Sequence, residues 1–343
     1  MRVMFAMRVV FMVFTVLTLG LMGFSGNWRS RWQWVLVVVF GALAIEAGPV
    51  SHFVSVNNLH LVDGMILFLF IVAGTLYSAL KAANVKAGKT LNIINQLVDQ
   101  QALADFNREY PGAVMQPVTV VIPAYYEVEN IGRVLDSIPR VVDDTPVTVL
   151  VVVDGSPDGT DRVVREHGDF VSYISVNRGQ GAALRVGYRL AIDHGAQYIV
   201  TLDADGQYDP SEMYGLVKPV LRDEADYVQG SRRMGRYVTD DVIRVMGVYW
   251  FNWLIGLLLR QRITDSSNGF RAIKAGVLKN LALSEDQYHA AELLILAVRK
   301  RYRVIERPAS MYPRNSGETK KGHNLLYAYH YARVIFKSWL RAI

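Results

Sequence analysis

"VTVVIPAYYEVENIGRVLDSIP", residues 118–139, decides the fold. It opens as a β-branched run, passes Pro123, turns through polar residues 125–127 and continues with Ile131, Val134, Leu135 and Ile138 at helical spacing. A strand feeding a helix through a short turn predicts one half of a parallel unit. The alternation then repeats: VTVLVVV (147–153), DRVVREH (161–167), VSYISV (171–176), GAALRVGYRLAIDHG (181–195) and YIVTLDAD (198–205). Strands alternating with helices predict an α/β fold whose mostly parallel sheet is covered on both faces. Ligands of such sheets gather beyond the carboxyl ends of the strands. Four polar clusters fall there: residues 125–127, 154–156, 177–181 and 203–207.

The last cluster belongs to "YIVTLDADGQYDP", residues 198–210, where two acids, Asp203 and Asp205, leave an apolar strand on either side of one alanine. Acids at i and i+2 turn to the same side once the chain bends, and Gly206 permits the bend. Two hard oxygen ligands suit Mg²⁺ or Mn²⁺, which takes its other ligands from water and substrate phosphates. A lone Asp-x-Asp is more often an ordinary turn. Its neighbours decide between the two readings.

The chain as a whole is slightly rich in apolar residues for one soluble core: 51% of its 343 residues are hydrophobic. Residues 4–24, 32–47 and 61–80 are apolar runs, and about 20 such residues cross the hydrocarbon of a bilayer. The third is long enough outright; the second is short but flanked by Trp28, Trp32 and Trp34, which favour an interface. The first holds Arg8 and also reads as a cleaved signal peptide. Residues 51–60 carry no Lys or Arg, whereas Lys81, Lys86 and Lys89 follow the third run. The positive-inside rule therefore places everything after Lys81 on the cytoplasmic side. The expectation is a membrane segment of two to three transmembrane helices over 1–83, a polar connector over 84–116 with a helix at 90–108, a catalytic domain over 117–321, and a basic amphipathic helix over 322–343.

There are no cysteines, which excludes disulfides, thiolate metal sites and a cysteine nucleophile. Residues 299–343 hold eleven Lys or Arg against two acids, a net charge of +9 in a chain of +6. Such an end suits phosphate, anionic lipid or nucleic acid. Nucleic acid leaves the apolar runs unexplained.

Seven stretches stand in one order: "TVVIPAYYEVENIGRVLDSIP", "VVVDGSPDGTD", "NRGQGAALRVGYRLA", "LDADGQYDPSEM", "QGSRRMGR", "ITDSSNGFRAI" and "YPRNSGETKKG". Together, over 118 to about 321, they resemble the family 2 glycosyltransferases of the GT-A, Rossmann-like fold, in the branch of dolichyl-phosphate mannose synthases and polyprenyl-phosphate glycosyltransferases. The resemblance implies that Pro123, Tyr125, Glu127 and Asp154 line the donor nucleotide pocket, with Asp203. It implies that Asp203, Asp205 and Gln207 hold Mg²⁺ or Mn²⁺, that Arg232, Arg314 and Lys320 bind phosphate, and that Arg271 is a further acceptor contact. Asp205, Arg232, Arg314 and Lys320 are then the catalytic set. Tyr126 stands where that family usually has Asn, Val153 replaces the first acid of VDDGS, Gln180 stands where Lys is common, and Asn268 replaces a serine. These departures leave the metal acids in place and bear on the base and the sugar.

The implied activity is inverting transfer of a hexose from a GDP-mannose or UDP-glucose type of donor to a polyprenyl phosphate at a cell membrane. The implied partners are the nucleotide sugar, the lipid and the membrane, with no nucleic acid and self-association left open. A phosphate acceptor is already ionised near neutral pH, since its second pKa is about 6, so it needs cations rather than a general base. Another hydroxyl acceptor or a polysaccharide synthase is the alternative, although no Q-x-x-R-W motif is present. Three further readings stay open. Asp265 supports the acceptor arginines or caps a turn. Residues 245–259 lie along a membrane or pack beneath the site. Arg333, Lys337 and Arg341, at i, i+4 and i+8, face lipid or belong to a helix docked on the catalytic domain.

Overall fold

The computed structural model describes residues 61–237, 242–313 and 325–341, with 61–70, 242–244 and 325–327 as backbone only. The apolar runs 4–24 and 32–47, and the cations Arg314, Lys320 and Lys321, lie outside these residues. Among the described residues no helix is long and apolar enough to cross a membrane.

The chain divides into two compact units, Met1–Gln96 and Leu97–Ile343. Helix α1, Leu61–Glu109, runs through the boundary without a break. The third apolar run and the polar connector as far as Glu109 are thus one helix. Hydropathy changes at residue 81, but the helix stop, Pro111 followed by Gly112, comes only at its end.

The second unit alternates as its sequence implies: β1 Val118–Ala124, α2 Ile131–Ser137, β2 Val141–Val142, β3 Thr145–Asp154, α3 Thr160–His167, β4 Phe170–Ile174, α4 Gln180–Asp193 and β5 Tyr198–Thr201. A 3₁₀ turn at Pro210–Glu212 leads to α5 Met213–Leu221, β6 Tyr227–Ser231, α6 Val242–Leu259, β7 Arg271–Lys274, α7 Ala275–Lys279, α8 His289–Arg299, β8 Val304–Pro308 and α9 Leu325–Arg341. The sheet order is β2-β3-β1-β5-β7-β6-β8, with β4 on the other side of β3. From β4 to β5 the main strands are parallel, but β7 lies antiparallel to both β5 and β6. The sheet is therefore mixed, where a mostly parallel one was expected. Apolar periodicity reports which face a residue occupies and not the direction in which the strand runs.

Alternate residues of the central strands feed two cores. Val118, Val120 and Ile122 of β1, with Val149, Val151 and Val153 of β3, enter one with α2, α3 and α5. Val121, Leu150 and Val152 enter the other with α4, α8 and α9. Gly187 lets α4 sit close on the sheet, since an added Cβ would stand 2.4 Å from Val121 Cγ1.

Helix α9 docks one face on the domain, as one of the two readings of the tail has it, while Tyr329, Phe336 and Leu340 stay exposed on its other face. Tyr331, Val334 and Ile335 are buried, Lys337 Nζ meets Glu285 at 2.5 Å, and Arg341 Nη1 meets the fully buried Glu292 at 3.0 Å. Helix α6 combines both of its readings. Phe251, Asn252 and Ile255 are buried, whereas Met246, Tyr249, Trp250, Trp253 and Leu257 are exposed, Trp253 by 62%.

Candidate active site

The four polar clusters come together at the carboxyl edge of β1, β3, β4 and β5, joined by hydrogen bonds. After β1, the Tyr126 amide donates to Ser156 Oγ at 2.9 Å, in the turn that follows β3. At the end of β3, buried Asp154 accepts the amides of Arg178 and Gly179 at 3.0 and 2.6 Å, from the turn after β4. From the start of α4, Gln180 Nε2 donates to Asp203 Oδ1 at 2.6 Å. The result is an arc running from Ser156 to Asp203. Burial pushes the Asp154 carboxyl up from the usual range, against the two amides that stabilise its charge.

The two acids after β5 occupy one bend. Asp205 is 6% exposed and accepts the Gln207 amide at 3.1 Å. Gln207 Nε2 donates to the Tyr312 carbonyl at 3.0 Å, which fixes its side chain and leaves the amide oxygen as the acceptor atom. The Asp203 carboxylate lies over Gly269, where an added Cβ would come within 2.5–2.8 Å of its atoms. This seat exists only because residue 269 has no side chain. Among the described residues no group of three or more His, Cys, Asp and Glu is placed to hold a metal ion. Two carboxylates and an amide oxygen make a donor set that fits a hard divalent cation completed by substrate phosphate.

Pro123 and Tyr125 are half-buried at the end of β1, and Glu127 Oε2 accepts Asn130 Nδ2 at 2.8 Å. Arg232 reaches the opposite side of the site, but it is buried and committed. Its Nε and Nη2 each contact Asp265 at 2.7 Å, Nη2 also reaches Ser267 Oγ at 2.7 Å, and Nη1 lies 3.7 Å from Met311 Sδ. Burial disfavours the guanidinium charge, and Asp265 more than offsets this, so the group is held firmly protonated. Asp265 is thus the arginine support of its two readings. Glu306 in turn accepts the amides of Thr264 and Asp265 at 2.9 Å each.

Arg271 is 2% exposed. Its Nη2 donates to the Asn268 carbonyl at 2.9 Å, and among the described residues Nε and Nη1 find no acceptor. That burial separates it from any ligand arriving through solvent. Burial, reinforced by the Arg271 charge, depresses the pKa of His289 well below the usual histidine range and keeps the ring neutral. Arg233, by contrast, is exposed and stacks over the Tyr249 ring at 5.4 Å, on the exposed face of α6.

Periodicity and motif spacing single out Asp203, Asp205 and Asp154; in the structure Asp154 and Asp203 are linked through residues 178–180, and Asp205 follows Asp203 in the same bend. They place Ser156 in a polar cluster without a role and pass over Asp158 and Thr160; the side chains of all three hold the turn after β1. Asp158 accepts the amides of Val128 and Thr160, and Ser156 Oγ donates to it. Burial alone would raise the Asp158 pKa, but these bonds together hold it below the ordinary carboxylate value. The only sequence signal is a Ser, Asp and Thr at alternate positions, the pattern of side chains that satisfy nearby backbone.

Residues 119–282 match the family model for glycosyl transferase family 2. An uncharacterised protein of Methanocaldococcus jannaschii is 30% identical over 232 residues, 66% of this chain and 92% of its own length. The undecaprenyl-phosphate mannosyltransferase of Micrococcus luteus is 31% identical over 219 residues, 59% of this chain and 86% of its own. Among solved structures, glucosyl-3-phosphoglycerate synthase from Mycobacterium tuberculosis, in complex with phosphoglyceric acid, superposes with a TM-score of 0.51 at 18% identity. That match covers 69% of this chain and 83% of the synthase, and the likeness is one of fold.

Proposed function

Because this chain belongs to glycosyltransferase family 2, we propose that it is a membrane-bound enzyme that moves a hexose from a nucleotide sugar to a polyprenyl phosphate, with inversion. The observation that carries the proposal is the seat of Asp203, with Asp205 next but one along the same bend, at the end of an arc that begins at Asp154 and the Tyr125–Tyr126 turn. A nucleoside diphosphate would lie along this arc with its base at one end and its phosphates at the other. The relative from Micrococcus luteus, named for mannosyl transfer to undecaprenyl phosphate, supports the choice of acceptor.

Mg²⁺ or Mn²⁺ held by Asp203, Asp205 and Gln207 would neutralise the departing diphosphate. Gln180 orients Asp203, and Gly269 leaves it room. The Asp265 and Arg232 pair fixes the opposite wall. Arg314 and Lys320 are the cations proposed for the acceptor phosphate. A phosphate oxygen forms the new bond to the anomeric carbon as the bond from that carbon to the donor diphosphate breaks, with its electron pair leaving on the diphosphate. One displacement inverts the carbon, and no proton has to be removed. The exposed aromatic face of α6, with the charge asymmetry around 51–89, supports placing this chemistry on the cytoplasmic face of a membrane.

Purified full-length protein, given a panel of nucleotide sugars and either a polyprenyl phosphate or the matching polyprenol, tests donor and acceptor together by product mass. Product is expected with the phosphate and none with the alcohol. Equal turnover of the alcohol would overturn the acceptor reading. In a separate titration, Gly269→Ala is expected to raise the Mn²⁺ concentration that half-saturates nucleotide binding by about 10–100-fold, as losses of groups that orient metal ligands do. An unchanged Mn²⁺ requirement would remove Asp203 from the metal set.

A further inference from the structure

Residues 97–109 of α1 belong to the second unit, where Ala102 and Phe106 are buried in the core shared with α4 and α8. Asp99 lies in this docked stretch, before the first residue of the family match. Its carboxylate forms an ion pair with Nη1 of Arg178, 79 positions further along the chain. The Arg178 side chain is 8% exposed and that of Asp99 30%. The pair is thus held largely away from water, where losing one partner is costly.

Arg178 stands at a junction. Its amide donates to one oxygen of Asp154 at 3.0 Å, and the amide of Gly179 donates to the other at 2.6 Å. Gln180, the next residue, holds Asp203. Three consecutive residues therefore link Asp154 to Asp203. A second acid is close to the same guanidinium. Asp286 Oδ1 lies 3.6 Å from Arg178 Nη2, but that oxygen already pairs with Arg185 Nη2. Burial raises the pKa of Asp99, Arg178 and Arg185 work to lower it, and Asp286 adds to the rise, so the four side chains form one charge cluster. Asp99 settles which way the Arg178 side chain is drawn within it. Without Asp99 the guanidinium is pulled toward Asp286, in competition with Arg185, and the backbone of 178–180 goes with it.

We propose that Asp99 is a positioning residue for the donor site: from α1 it fixes the Arg178 side chain, and through it the turn that joins Asp154 to Asp203. It acts through Arg178 and not by contact with the donor. The inference rests on the donor being a nucleoside diphosphate sugar. Residues 97–109 are then a working part of the catalytic domain and not only a path to it.

The test is calorimetric titration of the full-length protein with Mn²⁺ and GDP or UDP, with thermal unfolding to establish that each variant is folded. Asp99→Ala is expected to weaken nucleotide binding about ten-fold, the scale on which substitutions in a coupled network act. Asp99→Asn, milder on the fold because an oxygen still faces Nη1, should weaken it in the same direction. Glu109→Ala is the control. It removes another ion pair between α1 and the domain, to Arg165 at 2.7 Å in the last turn of α3, and should leave nucleotide affinity as it was. Arg178→Met should weaken binding as Asp99→Ala does. The double variant Asp99→Ala, Arg178→Met should be no worse than Arg178→Met alone, since Asp99 has then lost the group it acts through. Undiminished binding in both Asp99 variants, an equal loss in Glu109→Ala, or a further loss in the double variant would overturn the positioning role and leave the donor reading intact. Wild-type protein that binds neither nucleotide with Mn²⁺ would overturn both.

Discussion

Asp205→Ala is expected to reduce sugar transfer by about 10²–10³-fold or more, the cost of removing one group that stabilises departing charge in a desolvated site. The carboxylate is nearly buried, so its loss removes a ligand that solvent does not readily replace. The structural cost is small by comparison. The Gln207 amide loses one acceptor, worth about 1 kcal/mol. The variant should therefore stay folded, and Asp205→Asn, which retains an acceptor oxygen for that amide, should be equally inactive with a melting temperature closer to the wild type. Turnover by mass and thermal unfolding on the same samples separate the two effects. Full transfer by either variant would remove Asp205 from the chemistry.

Asp265→Ala is expected to be the most damaging single change to stability. It would strand Arg232, which is buried and takes two contacts from that carboxylate, each at 2.7 Å. Removing one partner of a buried ion pair costs about 3–5 kcal/mol, because an uncompensated charge stays behind. In a domain of this size that is a fall in Tm of about 10 °C. The double variant Asp265→Ala, Arg232→Met removes both charges and should recover much of the loss, since an apolar replacement of similar shape leaves nothing unpaired. If Asp265→Ala melted like the wild type, the Arg232 guanidinium would have found water, and the wall it forms would be looser than the structure shows.

These expectations show what the sequence makes legible. The strands β1, β3, β4 and β5 were readable because buried parallel strands are continuous β-branched runs, and the clusters that follow them fall where strand ends must lie; the two-residue antiparallel β2 was not. The reversal of β7 was not, because Arg271–Lys274 is only four residues long and its direction is set by the path of residues 260–270. The unbroken α1 was hidden by a change in polarity, which alters what a helix faces without ending it. That Arg232 is spent on Asp265 was only half legible: the sequence offered Asp265 as an arginine support or a turn cap, and with 33 positions between the two residues only the fold decides. The same holds for Lys337 and Arg341: spacing places them on one stripe, and only the fold shows that Glu285 and Glu292 stand opposite. The frame around Tyr126, whose φ is +57°, was hidden for a different reason. A positive φ belongs to the backbone, and nothing in a tyrosine announces it.

The contacts of α9 have a practical corollary for anyone trimming the chain. Arg341 donates to Ser284 Oγ and to the Ala282 carbonyl, and Lys337 grips Glu285. The neighbouring Asp286 carbonyl accepts the amide of Gly181, one residue beyond Gln180. The carboxy-terminal helix is therefore a buttress for the opening turn of α4. A version cut back before residue 325, or a fusion that pulls the final turn of α9 away, should loosen the hold of Gln180 on Asp203 from the rear of the domain, and the fault would surface as poor nucleotide retention.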